Sequence, residues 1–155
     1  MMTAILILHG ILAAGLLGAI THQAFALSVK PQEKATTSFF ERLRATDAVA
    51  YRTPVLILFV AVAIIGSVLY PSYRQIVRPL LQAQDLRAAN GAFELKEHFS
   101  AIGALLLPAY WVAWKPPLAP EYQITRMWLT WILAAMVWWN FIVGQLLVAI
   151  RGLLA

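Results

Sequence analysis

Two histidines of this sequence lie where an imidazole could bind a metal inside a hydrophobic segment. His9 is close to the start of one apolar segment and His98 is close to the start of another. One histidine on each of two bundled helices is the arrangement that holds the iron of a b-type haem between the helices. The absence of cysteine from the sequence excludes a thiolate-ligated iron–sulfur cluster and a covalently attached c-type haem. His9 and His98 are therefore the predicted axial ligands of a haem b.

The composition is that of a membrane protein. Of the 155 residues, 61% are apolar and 12% are charged, and the mean hydropathy is +0.73. Ordinary soluble domains are less apolar and carry more charge. The net charge of +5 comes from Lys and Arg residues spread over the polar connections, which indicates contact with lipid headgroups and not with nucleic acid.

Four hydrophobic segments are long enough to cross a bilayer, because an apolar helix needs about 20 residues to span a hydrocarbon core of about 30 Å. They cover about residues 4–27, 48–70, 93–114 and 126–150. The sequence therefore predicts an all-α fold in which residues 1–155 form a single membrane domain, a bundle of four transmembrane helices. The first and third segments would run in the same direction, which places His9 and His98 at similar depth.

The connection between the second and third segments carries two arginines on one helical face. Arg74 and Arg78 are four residues apart, so their guanidinium groups would lie side by side. A guanidinium binds a carboxylate through two parallel hydrogen bonds. Both arginines are therefore predicted partners of the haem propionates, and contact with lipid headgroups is the alternative. The pair Asn90-Gly91 predicts a turn that closes this connection.

The acidic residues beside His98 allow other kinds of site. Glu94 and His98 are four residues apart and could share a metal ion, while Glu97, His98 and His9 could carry protons. A di-iron bundle would need the carboxylate and histidine motif to recur in another segment, and it does not recur here. A purely structural role, with the imidazole bonded to a backbone carbonyl or a carboxylate, stays open for each histidine. The sequence assigns no role to His22.

The first and fourth segments favour contacts with other helices. Gly10, Ala14 and Gly18 recur every four residues in the first segment, a spacing that lets another helix approach closely. The fourth segment contains several tryptophans and the polar residues Asn140 and Gln145, which we expect to form interhelical hydrogen bonds. These features also fit a non-catalytic accessory subunit of a larger membrane complex, or a homo-oligomer.

The run Leu8-His9-Gly10 at the start of a glycine-containing first segment, together with the number of segments, resembles a known group of proteins. These are the small histidine-containing membrane proteins of the copper-resistance-D and HemJ-type protoporphyrinogen oxidase kind. The resemblance implies a haem-binding redox membrane protein, with His9 matching the early histidine of the family. The predicted location is an inner membrane of the bacterial type.

The orientation follows from the basic residues. Four segments place both termini on one side, and seven Lys and Arg residues lie on the opposite side against five on the side of the termini. The five are Arg74, Arg78, Arg87, Lys96 and Arg151, and the seven are Lys30, Lys34, Arg42, Arg44, Arg52, Lys115 and Arg126. Because the more basic side faces the cytoplasm, both termini are predicted to be non-cytoplasmic.

These observations predict a small integral membrane protein that binds haem b and transfers electrons, alone or as a redox subunit, with a quinone or another membrane subunit as its partner. Whether it has catalytic activity of its own stays open. No glycine-rich phosphate loop, no nucleophile with its base and no nucleic-acid module is present. An accessory subunit without a cofactor is the alternative function.

Overall fold

The computed structural model describes residues 2–28 and 47–154, and every regular element in these ranges is helical. Helix α1 covers Met2–Ser28, and helix α2 covers Arg52–Ser72 after a 3-10 turn at Ala48–Tyr51. A π-helical turn at Tyr73–Val77 joins α2 to the short helix α3, Arg78–Ala83. Helix α4 covers Arg87–Ala113, and helix α5 covers Gln123–Leu154 after a 3-10 turn at Pro120–Tyr122. The predicted all-α fold class is confirmed for the described residues, whereas residues 29–46, most of the first predicted connection, lie outside them.

Three helical stretches of the described chain are long and apolar enough to cross a membrane. They are Met2–Leu27, Ala48–Ala83 and Pro120–Ile150. Large apolar side chains also cover the outside of the molecule, and Leu105 (80% exposed) and Ile124 (68%) are examples. Soluble proteins rarely expose so much apolar surface, so these helices are compatible with a lipid bilayer as the surrounding solvent. Helix α4 is not among the three, since its first half carries several charged side chains.

The four long helices form a ring. Helix α1 packs against α2 and α5, and α4 packs against the same two helices from the other side. The core between them is apolar and includes Leu16, Ile20, Phe59, Leu133 and Val137. Close van der Waals contact between such buried side chains is the main favourable contribution to packing inside the bundle.

Hydrogen bonds between buried polar side chains hold one end of the bundle together. The Tyr110 hydroxyl donates to Gln23 Oε1 at 2.6 Å, and Gln23 Nε2 donates to the carbonyl of Ala48 at 3.0 Å. Trp114 Nε1 donates to Thr130 Oγ1 at 3.1 Å. These bonds join the C-terminal ends of α1 and α4 to the 3-10 turn before α2 and to the beginning of α5, so α1 and α4 run in one direction and α2 and α5 in the other.

Replacing Tyr110 with phenylalanine should destabilise this end of the bundle. The change leaves Gln23 Oε1 buried without its donor, and an unsatisfied buried acceptor costs about 1–3 kcal/mol. We expect a lower unfolding temperature of the purified protein in detergent, measured by circular dichroism. Tyr122→Phe is the control, because Tyr122 is exposed. Equal unfolding temperatures for the two variants would contradict a structural role for the Tyr110 hydroxyl.

The turn predicted at Asn90-Gly91 is wrong, because both residues lie inside α4. The chain reverses before α4, where Asp85 has a φ of 54°, in the left-handed region that aspartate enters more readily than most residues. The side chain of the helical Asn90 is bonded on both sides. Its Oδ1 accepts from the Tyr73 hydroxyl at 3.1 Å, and its Nδ2 donates to Glu94 Oε1 at 3.3 Å.

Candidate functional site

A cavity of about 310 Å³ lies between α1, α2, α4 and α5. Much of its wall is apolar and is formed by side chains such as Phe59, Val62 and Phe141. Each of the four helices also contributes at least one polar side chain. These polar residues are His9, Ser67, Lys96, Glu97, Ser100 and Asn140. Polar groups that the sequence spreads over the whole chain therefore converge on one space inside an apolar bundle.

Two opposite charges stand side by side at the cavity. Lys96 Nζ is 2.9 Å from Glu97 Oε1, and the two side chains are 16% and 38% exposed. Lys96 Nζ also lies 5.0 Å from the centroid of the Phe93 ring, which attracts a cation through its π electrons. An ion pair is far less costly to keep away from water than either charge alone. The cavity wall therefore carries two charged groups whose net charge is zero.

Two buried polar atoms at the cavity have no hydrogen-bond partner among the described residues. They are His9 Nδ1 and Asn140 Oδ1. The other polar atom of the amide is used, because Asn140 Nδ2 donates to Ser100 Oγ at 3.0 Å. The His9 ring lies against Gly66 of α2, where an added Cβ would be 3.4 Å from His9 Cε1. Since buried polar atoms are nearly always paired, these two are candidate hydrogen-bond partners for a ligand.

Only one of the two predicted axial ligands lies at the cavity. His9 lines the cavity, but His98 is exposed and is not one of the residues that line it. Helix α4 contributes Glu97, Ser100, Ala101 and Ala104 to the cavity wall, and residues three and four apart share one face of a helix. At 100° per residue, position 98 lies about 110° from the centre of that face, although it is only three residues from Ala101. The histidines do not meet at the cavity in this arrangement of helices, so the axial pair stays a prediction.

The two predicted propionate ligands lie outside the cavity wall, near the π-helical turn. Arg78 Nη2 is 3.4 Å from Glu94 Oε1, and Arg74 Nη1 donates to the Tyr70 hydroxyl at 3.4 Å. A carboxylate of the chain itself therefore already pairs with Arg78. A propionate would have to compete with Glu94 for that guanidinium, and the propionate role of both arginines stays a prediction.

The third histidine lies at the opposite end of α1. The His22 ring packs against the Tyr51 ring with a centroid distance of 4.8 Å, and its Nε2 is buried without a partner among the described residues. His22 does not line the cavity. It is therefore a useful reference residue for experiments on His9.

No three His, Asp or Glu side chains within the described ranges are grouped closely enough to hold a metal ion. Comparisons of the chain with protein-family models, with curated proteins and with solved structures find no match. The function therefore has to be inferred from the cavity and its residues.

Proposed function

We propose that α4 is a fourth transmembrane span and that the chain is an integral membrane protein with four membrane-crossing helices. Contacts along the second half of α4 support this proposal, through the Tyr110–Gln23 bond near its end and the Ser100–Asn140 bond at its middle. Its charged residues Lys96 and Glu97 line the cavity. Ionisable side chains in membrane spans face the bundle interior and pair with one another in the same way.

The proposed function is that of a membrane redox subunit whose electron carrier is held in the cavity. The observation that carries the proposal is the convergence of polar side chains from four helices on one cavity with two unpartnered polar atoms. Helix bundles build their cofactor sites from side chains of facing helices. Polar groups that a membrane bundle keeps in its interior mark functional sites, because they are costly to place there.

Haem b is the carrier that the histidines predict, and its fit to the structure is incomplete. His9 offers an unpartnered buried Nδ1 at the cavity, whereas His98 is exposed and Arg78 is paired with Glu94. Small-molecule sites have volumes of about 300–1,000 Å³, and the cavity, at about 310 Å³, is at the lower end for a macrocycle as large as a porphyrin. The residues present do not fit a haem with two histidine ligands while the helices keep these positions.

The redox proposal predicts that a redox-active carrier is purified together with the protein. The measurement combines a reduced-minus-oxidised visible spectrum, which detects haem, with chromatography of an organic extract, which detects quinones. We expect one of the two carriers in an amount that is close to stoichiometric. The amount should fall in His9→Ala and stay unchanged in His22→Ala. A protein that carries neither haem nor quinone would contradict the redox function.

An accessory subunit without a carrier is the second candidate. It is favoured by the face of α1 that carries Gly10, Ala14 and Gly18, because this face points outward and Ala14 is exposed. A Cβ added at Gly10 or Gly18 would meet no atom of the described residues within 4 Å. Another subunit could approach this face closely. A purified protein without any carrier would support this candidate.

A further inference from the structure

We infer that the cavity binds the head group of a quinone that enters sideways from the bilayer. This inference rests on the proposed redox function, because it names the carrier. It is carried by the opening of the cavity, by its size and by the kind of polar atoms that remain unpartnered in it.

The cavity is bordered by exposed residues where α2 and α4 meet. Ser67 of α2 and Ala101 and Ala104 of α4 line it and are also exposed on the outside of the bundle. The interface between α2 and α4 is the least extensive of the four interfaces between neighbouring long helices. Away from the close contact of Gly103 with Phe59, the small side chains of this short interface would leave a passage. Where lipid surrounds the bundle, a ligand that uses this passage comes from the hydrocarbon phase.

The size and walls of the cavity suit one ring. Its volume of about 310 Å³ is at the lower end of the range for small-molecule sites. Phe59 and Phe141 contribute aromatic side chains to the wall, and aromatic rings pack favourably against a flat ring by stacking or edge contact. A quinone is such a ring, and its isoprenoid tail can remain between α2 and α4 or in the lipid.

The charge of the cavity favours a neutral ligand. Lys96 is already paired with Glu97 at 2.9 Å, so an anionic headgroup or a free phosphate would find its cation in use. The side chains of Ser100 and Asn140 are bonded to each other and carry no charge. A neutral molecule with polar atoms at its edges therefore fits the cavity better than a phosphate or a phospholipid headgroup does.

The unpartnered atoms match the oxygens of a quinone and its quinol. Asn140 Oδ1 can only accept a hydrogen bond, whereas an imidazole nitrogen donates or accepts according to its tautomer. A quinol hydroxyl can donate to Asn140 Oδ1. The second ring oxygen can accept from His9 Nδ1–H as a carbonyl, or donate to an unprotonated Nδ1 as a hydroxyl. Both atoms would then gain a hydrogen-bond partner. A buried polar atom without a partner is costly.

The test is equilibrium binding of decylubiquinone, a short-tailed benzoquinone, to the full-length protein in detergent, followed by quenching of tryptophan fluorescence. We expect saturable binding to the wild-type protein. Asn140→Leu should raise the dissociation constant about tenfold, which corresponds to a loss of about 1.4 kcal/mol of binding free energy. Gln145→Leu on the same helix should not weaken binding, because Gln145 is exposed and does not line the cavity. His9→Phe and His22→Phe form a second pair with the same contrast, because His22 does not line the cavity.

A third variant does not depend on the buried polar residues. Ala104→Phe places a large ring at the exposed border of the cavity, outside the core, and should abolish binding while the unfolding temperature stays close to that of the wild type. Quenching that does not saturate, or that is equal in all variants, would overturn the quinone inference. A haem α-band that is lost in His9→Ala would also overturn it, but would leave the redox function standing. Absence of quinone binding together with absence of haem would overturn both.

Discussion

Replacement of Gly103 by alanine is expected to destabilise the bundle by about 1–2 kcal/mol, and replacement by leucine by considerably more. A Cβ added at Gly103 would lie 2.6 Å from Phe59 Cζ, 3.1 Å from Phe59 Cε2 and 3.7 Å from Leu133 Cδ2. Phe59 and Leu133 are both buried in the core, so the Phe59 ring has to move, and the cavity that it lines is the space open to it. Overpacking of this kind costs about 1–3 kcal/mol, while the better helix propensity of alanine returns up to about 1 kcal/mol.

The matched control is Gly144→Ala on α5. A Cβ at Gly144 would meet no atom of the described residues within 4 Å, so only the gain in helix propensity remains and the unfolding temperature should stay equal or rise. The measurement is thermal unfolding in detergent, followed by circular dichroism and by the fraction that remains monodisperse after heating. If Gly103→Ala proved as stable as Gly144→Ala, α2 and α4 would not be packed as closely at Phe59 as the structure shows.

The elements of this fold follow from the sequence more readily than their faces do. Apolar segments of sufficient length predict helices, and helices are found there. Which side of each helix faces inward is harder to predict, because a membrane helix is apolar all round and its periodicity no longer separates core from surroundings. His98 shows the difficulty, since it lies next to the cavity-lining Glu97 and yet is exposed.

Polar residues inside the apolar segments predict contacts between helices better than the apolar pattern does. The sequence predicts an interhelical hydrogen bond for Asn140, and its bond to Ser100 confirms this. Trp138 also forms an interhelical hydrogen bond, since its Nε1 donates to Thr21 Oγ1 of α1 at 2.9 Å. Gln145 is exposed instead. The cost of burying a polar group predicts that it finds a partner, but the partner and the face depend on how the helices are rotated.

The cavity itself could be predicted only in part. His9 is a predicted site residue and does line it, Glu97 is named only as an alternative proton carrier, and Lys96 has no predicted role in a site. These two are neighbours in sequence, and adjacent residues of a helix do not normally face each other, so no spacing rule identified them as a pair. The one signal that could have located this face is the recurrence of Glu97, Ser100, Ala101 and Ala104 at helical spacing. Its convergence with α1, α2 and α5 is a property of the packed bundle.

Removal of Lys96 alone is expected to cost more than removal of the whole ion pair. Lys96→Met leaves the Glu97 carboxylate at the cavity without its cation. Because the Glu97 side chain is 38% exposed, we expect a cost below the roughly 3–5 kcal/mol of breaking a fully buried pair. In the double variant Lys96→Met, Glu97→Gln no charge remains, so the unfolding temperature should return most of the way to that of the wild type. The measurement is thermal unfolding of the single and double variants in lipid nanodiscs.

The chain offers a matched control for this experiment on the same helix. Arg87 Nε lies 2.8 Å from Asp85 Oδ1, nearly the same separation as in the Lys96–Glu97 pair, but these side chains are 89% and 79% exposed. An ion pair in water contributes little to stability, so Arg87→Met should leave the unfolding temperature almost unchanged. If Lys96→Met were equally harmless, the Lys96–Glu97 pair would lie among hydrated headgroups. The first half of α4 would then lie outside the hydrocarbon, and the fourth span would be too short to cross it. A large loss for Lys96→Met that the double variant reverses would instead place both charges, and the cavity they line, within the membrane.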